Sequence, residues 1–404
     1  MLKKLKKTDK TLFDLADKEV KRQKEDIDLI ASENLAPQGV LELLGSELTN
    51  KYSEGYSGKR YYPGNVYYDK IEELAKDRAL KVFKLDKNKW HVNVQAYSGA
   101  IANLAIYLSV LKPGETILSM DLTAGGHLSH GSKVSFTGKL FNVVHYGVDK
   151  NYDIDYKELE KLAKKHKPKI IVSGASAYPK KINFKKIGEI AKKVGAYHLA
   201  DISHYAGLIS AGFYPSPFKY SDFVMTTTHK SLFGPRAALI YIKKENIDLP
   251  ILVDKAIFPG LQGGPHNNTI AAIAHGLLLT TKNKNYYKQV VKNAKTLCDE
   301  MKKLGFSARG GPALGWDIVG GGTDCHMFLI DVSGLGINGF EAEKMLEKNG
   351  ILANRNTIFG DTSPFKPSAI RIGTYAVTSR GMKEKDMKKL AKELHNILVV
   401  KKYD

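Results

Sequence analysis

Between about residues 90 and 245, short apolar runs alternate with longer stretches of helical periodicity. Apolar runs bounded by turn residues read as strands covered on both faces, and the intervening stretches read as the covering helices. The pattern therefore calls for an α/β unit with a largely parallel sheet. Strands are predicted at Thr116–Met120, Phe141–Val144, Lys169–Val172, Ala196–Ala200, Phe223–Thr226 and Ala238–Ile242. Helices are predicted at Ala100–Leu111, stopped by Lys112-Pro113-Gly114, and at Asn183–Val194. Residues 11–24 carry Leu12, Leu15, Ala16 and Val20 at helical spacing and predict an amphipathic arm. A long helical stretch from about Thr269 to Lys303 leads to a smaller α/β unit. Its pieces are the run Met327–Val332, a helix at Gly339–Lys348, a strand at Ala369–Gly373 and a helix at Lys383–Ile397. The expected division is an arm over 1–25, a large domain over 26–282 and a small domain over 283–404.

The 404 residues hold 62 Lys plus Arg against 42 Asp plus Glu, a formal charge of +20. The lysines fall in scattered pairs such as Lys164-Lys165 and Lys192-Lys193, without interleaved aromatic residues, so a nucleic-acid stripe is not indicated. An attraction for anionic ligands remains. Cys298 and Cys325 are too few for a disulfide framework, and a reducing, cytoplasmic compartment is expected. The apolar run Ile270–Leu279 falls well short of the roughly 20 residues that cross a bilayer, so no membrane role is expected.

Polar residues at the ends of apolar strands mark the chemistry. Lys230 follows Thr226-Thr227-Thr228-His229 and precedes Gly234-Pro235-Arg236. Burial near other cations lowers a lysine pKa and makes the amine a nucleophile toward an aldehyde. Taken alone, a surface turn is the more ordinary reading. Asp201 ends the next apolar run, where a buried carboxylate suits a pyridinium nitrogen; a helix cap is the plainer alternative. Ser98-Gly99 opens a helix and suits a phosphate, although many helices start this way and bind nothing. His127, on a Gly-rich loop, offers a flat ring for stacking or a local cap. Glu54 lies among tyrosines in a contact loop, and Arg371 sits inside an apolar strand where it needs a carboxylate, from the protein or from a substrate. No histidine pair has metal-site spacing, so no metal is expected. Together these residues describe a pyridoxal-phosphate enzyme acting on an amino acid, with the reaction open.

The motifs Ala31-Ser32-Glu33-Asn34, Lys59-Arg60-Tyr61-Tyr62-Pro63-Gly64, Gly125-Gly126-His127-Leu128, Asp201-Ile202-Ser203-His204, Thr226 to Lys230, Gln262-Gly263-Gly264-Pro265 and Arg371-Ile372-Gly373-Thr374 resemble, in order, those of serine hydroxymethyltransferases. The resemblance runs from about residue 8 to the end. It implies a fold-type I transferase with a mostly parallel seven-stranded sheet and a smaller C-terminal α/β domain. It also implies transfer of the serine hydroxymethyl group to tetrahydrofolate, giving glycine and 5,10-methylenetetrahydrofolate. By the same resemblance Lys230 carries pyridoxal 5'-phosphate as a Schiff base, flanked by Thr227 and His229. Asp201 meets the ring nitrogen, His127 stacks, His204 and Ser176 lie near the phenolic oxygen, and Ser98, Gly99, Gly264, Tyr52 and Arg236 complete the cofactor contacts. Ser32, Arg371, His204, Tyr62 and Glu54 would hold substrate, with Glu54 handling a proton. Leu122, Gly126, His127, Leu128, Asn356, Ser363, Pro364 and Phe365 would face folate. The implied assembly is a homodimer, or a pair of dimers, in which Tyr52, Glu54, Tyr62 and Gly264 serve the other subunit. The chain departs from the family pattern at Ser203, Tyr205, Phe233 and Tyr375; the Tyr375 phenol is expected beside Arg371, altering its carboxylate geometry. The alternatives are a folate-independent aldolase for β-hydroxy amino acids and a noncatalytic RNA-binding protein.

Overall fold

The computed structural model describes residues 3–245, 248–307, 315–363 and 366–400. Seven strands form the large sheet: β1 (Trp90–Asn93), β2 (Thr116–Met120), β3 (Asn142–Tyr146), β4 (Ile170–Gly174), β5 (Tyr197–Asp201), β6 (Phe223–Thr227) and β7 (Ala238–Lys243). Their order is β1-β7-β6-β5-β4-β2-β3. β7 runs antiparallel to both neighbours, and β2 through β6 pair in parallel, so one strand alone is reversed.

Every residue of β4 and β6 is buried, as a sheet covered on both faces requires. Alternation along β6 feeds two separate cores. Phe223 and Met225 pack with Ala102 and Ile106 of helix Gly99–Val110, whereas Val224 joins Ile187 and Ile190 of helix Phe184–Val194 on the other face. The second helix is bounded by local chemistry. The Asn183 side chain accepts from the Lys186 amide, and Gly195 ends the helix at φ 71°.

Strand positions agree with the sequence reading to within one or two residues, but β1 was not anticipated. Trp90-His91-Val92-Asn93 mixes polar and apolar residues because it forms the sheet edge, pairing only with β7. The long helical stretch is also two helices, Asn267–Lys282 and Lys284–Ser307. Asn283 separates them: it leaves helical geometry and its side-chain amide donates to the Leu279 carbonyl at 2.9 Å. The first helix packs on Val66–Val82 and the second on Glu384–His395.

A second sheet contains β8 (Asp317–Ile318), β9 (Met327–Asp331), β10 (Asn354–Asn356) and β11 (Ala369–Gly373), ordered β8-β9-β11-β10 and antiparallel throughout. Segment 29–31 lies directly on β11: Gly373 donates to the Leu29 carbonyl at 2.7 Å, and a Cβ at 373 would come 2.3 Å from Ala31 Cα. The N-terminal helix Lys10–Glu25 buries none of its residues. Among the described residues no helix is long and apolar enough to cross a membrane.

Candidate active site

Four neighbouring strands, β6, β5, β4 and β2, end at one edge, and the chain leaving each carries polar side chains to it. A cavity of about 170 Å³ there is lined by Ser98, Gly99, His127, Ser176, Asp201, His204, Thr227, His229, Lys230 and Arg236. Carboxyl ends of parallel strands are where open α/β sheets hold ligands.

Lys230 Nζ donates to Thr227 Oγ1 at 3.1 Å. Burial pushes its pKa down to about 8, with Arg371 and Arg236 adding to the effect and Asp201 opposing it. A usable fraction of the amine is therefore neutral near physiological pH.

Asp201 is 6% exposed and fully engaged. Its Oδ2 lies 3.0 Å from His130 Nε2 and accepts from Asn103 Nδ2 at 3.1 Å, while Oδ1 accepts from the Ser203 hydroxyl at 2.6 Å and from its amide. Burial alone raises the carboxyl pKa, but the bonds from His130 and Ser203 and the charge of His130 hold it well below the ordinary range. The Asp201 carboxyl in the cavity wall therefore stays ionised.

Gly99 opens helix Gly99–Val110 after the N-cap Ser98. A Cβ at 99 would come 2.7 Å from Thr227 Cγ2, so only glycine brings the helix start this close to β6. His127 is held by Ser129, whose amide donates to His127 Nδ1 at 3.1 Å, and burial lowers its pKa to about 4. An ionised carboxylate, a partly neutral amine, a helix start with free amides and a neutral flat imidazole around one cavity fit pyridoxal phosphate.

Arg371, in β11, is 7% exposed. It donates to the Ser176 carbonyl at 2.6 Å and to Asn354 Oδ1 at 3.0 and 3.2 Å, and no protein carboxylate pairs with it among the described residues. Burial lowers its pKa to about 10. Ser32 lines an adjoining cavity of about 460 Å³ that shares His229 and Arg236 with the first.

Tyr52, Glu54, Tyr62 and Gly264 come together elsewhere. The Tyr52 and Tyr62 rings stack at 5.3 Å, Glu54 lies against Gly263 and Gly264, and Tyr52 and Gly264 line a cavity of about 610 Å³. None of the four lines the Lys230 cavity of its own chain. Leu122, Gly126 and Leu128 share the loop after β2, tied down where the Ser176 and Ala177 amides donate to Gly125. Asn356 pairs in register with Ala369, and Ser363 follows it in the chain. Pro364 and Phe365 lie outside the described residues. The Tyr375 phenol is not engaged by Arg371 as expected; it donates to the His204 carbonyl at 2.8 Å. The Tyr375 ring is stacked on His326, and the Arg371 donors are taken by the Ser176 carbonyl and Asn354.

Sequence reasoning missed three participants. His130 and His127 stand three apart on the turn Leu128–His130, which brings their rings to 5.6 Å; that spacing was the available signal. Asn103 is the polar interruption of an apolar helix, one turn beyond Gly99. His326 lies 3.3 Å from His204, and nothing local in the sequence points to it.

Burial also holds neutral several imidazoles. His127 and His198 are lowered from 6.5 to about 4, and His229 and His326 to about 3. The unfolded chain therefore takes up protons near 6.5 that the folded chain refuses, and stability drains away as pH falls from 6.5 toward 4. A urea midpoint measured across that window is expected to drop steadily; a flat midpoint would contradict neutral burial.

The family model described as Serine hydroxymethyltransferase matches residues 5–394. Serine hydroxymethyltransferase of Methanosarcina barkeri (strain Fusaro / DSM 804) is 53% identical over 391 residues, covering 96% of this chain and 91% of that protein. The large sheet is the fold-type I transferase architecture, and pyridoxal phosphate and tetrahydrofolate are general requirements of the family. The chain thus belongs to the serine hydroxymethyltransferase family, whose reaction interconverts serine and tetrahydrofolate with glycine and 5,10-methylenetetrahydrofolate.

Proposed function

We propose that Lys230 is the residue that bonds the cofactor aldehyde and that each catalytic centre is completed by two subunits. The observation that carries this reading is the pairing, in one cavity, of the Lys230 amine with the ionised Asp201 carboxylate. When bound, the protonated pyridine ring draws electrons from bonds at the substrate α-carbon. With the cofactor bound, Asp201 would hold a proton on the ring nitrogen, and His130, Asn103 and Ser203 hold that carboxylate in place. Ser98 and Gly99 would present helix-start amides to the cofactor phosphate, and His127 would offer its flat ring for stacking. Arg371 and Ser32 orient the serine carboxylate, which decides which α-carbon bond lies in line to break. The loop from Leu122 to Leu128, with Asn356 and the segment at Ser363, faces the folate.

Family members are generally homodimers acting on small molecules. That the Tyr52, Glu54, Tyr62 and Gly264 group lies outside the Lys230 cavity of its own chain supports lending that group across a two-fold axis. The partner subunit's Glu54 then moves the proton of the serine hydroxyl.

Two measurements test this reading. Borohydride reduction followed by peptide mapping is expected to put the cofactor on Lys230, and label on another residue rejects the assignment. Chains bearing Lys230→Ala and chains bearing Glu54→Gln, each inactive alone, are expected to recover about one quarter of native activity when mixed, because half the dimers gain one intact centre. No recovery would place Glu54 in its own chain's centre.

A further inference from the structure

We propose that His326 is a positioning residue that fixes the proton of His204 on Nε2, the ring nitrogen left free for the Lys230 cavity, and that Tyr375 clamps the two histidines together. This inference rests on reading that cavity as the substrate site.

His326 is fully buried just before β9, while His204 follows β5. His326 Nε2 lies 3.2 Å from the Ala31 carbonyl and 3.3 Å from His204 Nδ1. A carbonyl only accepts, so the proton of His326 belongs on Nε2, where one N–H is shared between the two acceptors. His204 Nδ1 then accepts. Both imidazoles are kept neutral by burial and by the nearby cations Arg371 and Lys230, so His204 carries one proton, and Nε2 is the place left for it. That nitrogen has no protein partner among the described residues, and His204 lines the cavity. It faces ligand as a donor.

Tyr375 touches both partners. Its ring stacks on His326 at 4.2 Å and 23°, and its hydroxyl donates to the His204 carbonyl at 2.8 Å. The clamp is itself braced: Thr374 donates through its amide to the His326 carbonyl at 3.0 Å, and the Tyr286 hydroxyl donates to the Tyr375 carbonyl at 3.0 Å. The Tyr205 ring meets His326 edge-on at 6.2 Å. Two of these tyrosines, 205 and 375, stand where the chain departs from the family pattern.

The test reads the proton directly. Nitrogen NMR of the holoenzyme carrying labelled histidine, with the His204 signals assigned by their loss in His204→Asn, is expected to show a neutral ring protonated on Nε2. A ring protonated on Nδ1 would overturn the proposal, and this measurement needs no His326 variant to fold. In His326→Phe the shared N–H is gone, so His204 is expected to divide between tautomers and the kcat of serine cleavage to fall roughly tenfold. His326→Gln, whose amide can donate to the same acceptors, is expected to restore a single tautomer and most of that rate. An unchanged tautomer in folded His326→Phe refutes the role. Cofactor mapped away from Lys230 would instead defeat the reading of the cavity while leaving the proton assignment of His204 intact.

Discussion

Lys230→Ala is expected to lower serine cleavage by a factor on the order of 10⁴ or more and to abolish reductive fixation of the cofactor. Among the described residues no other amine lines the cavity, and the nearby cations Arg236 and Arg371 carry guanidinium groups, not amines. The folded state is expected to survive. The substitution removes a desolvated amine and, among the described residues, breaks one hydrogen bond of its side chain, to Thr227 Oγ1, while the Thr227 amide keeps its bond to Ser203 at 3.0 Å. The urea midpoint at neutral pH should therefore stay at or slightly above the native value. Cofactor still fixed covalently to the variant would exclude Lys230 from the role given to it here.

Asp201→Ala should cost both rate and stability. Losing the charge proposed to hold a proton on the ring nitrogen is expected to slow cleavage about 10³-fold, the scale of removing a preorganised electrostatic partner. The same change takes the acceptor from His130 Nε2 and the Ser203 hydroxyl in a buried site and leaves Asn103 Nδ2 with Ser129 alone, at about 3–5 kcal/mol. Asp201→Asn separates the two losses, because the amide fills the same volume and leaves an oxygen to accept. Its urea midpoint should return most of the way to native while kcat stays low. Native turnover in Asp201→Asn would show that the carboxylate charge has no part in the reaction.

Much of this architecture was legible because local chemistry and global fold agree. Strands β2 and β11 and helix Gly339–Lys348 fall where the apolar runs placed them, the helix marked by Asn338 and Glu341 in a reciprocal cap. Edge strand β1 escaped because four residues of mixed polarity carry no clear period. The break at Asn283 escaped because an asparagine in a run of lysine and asparagine looks the same inside a helix as at its end. Within the site, Lys230 and Asp201 stood out as polar residues ending apolar strands. His130 and His326 did not, since they meet their partners across 71 and 122 residues, separations that no periodicity encodes. The position of the Tyr375 phenol was misjudged for the same reason: its acceptor lies 171 residues away.

In the large sheet the chemical side chains stand at or beyond the ends of strands, and the interiors of β4 and β6 are buried packing. Lineages can therefore exchange one apolar residue for another of similar volume inside β4 or β6 while passing the reactive constellation on unaltered. Insertion or deletion of a single residue within either strand is the opposite case. It would carry the following loop about 3.3 Å along and turn every strand side chain on one side of the change to the opposite face. Such length changes should be rarer in descendants of this chain than any substitution of like for like.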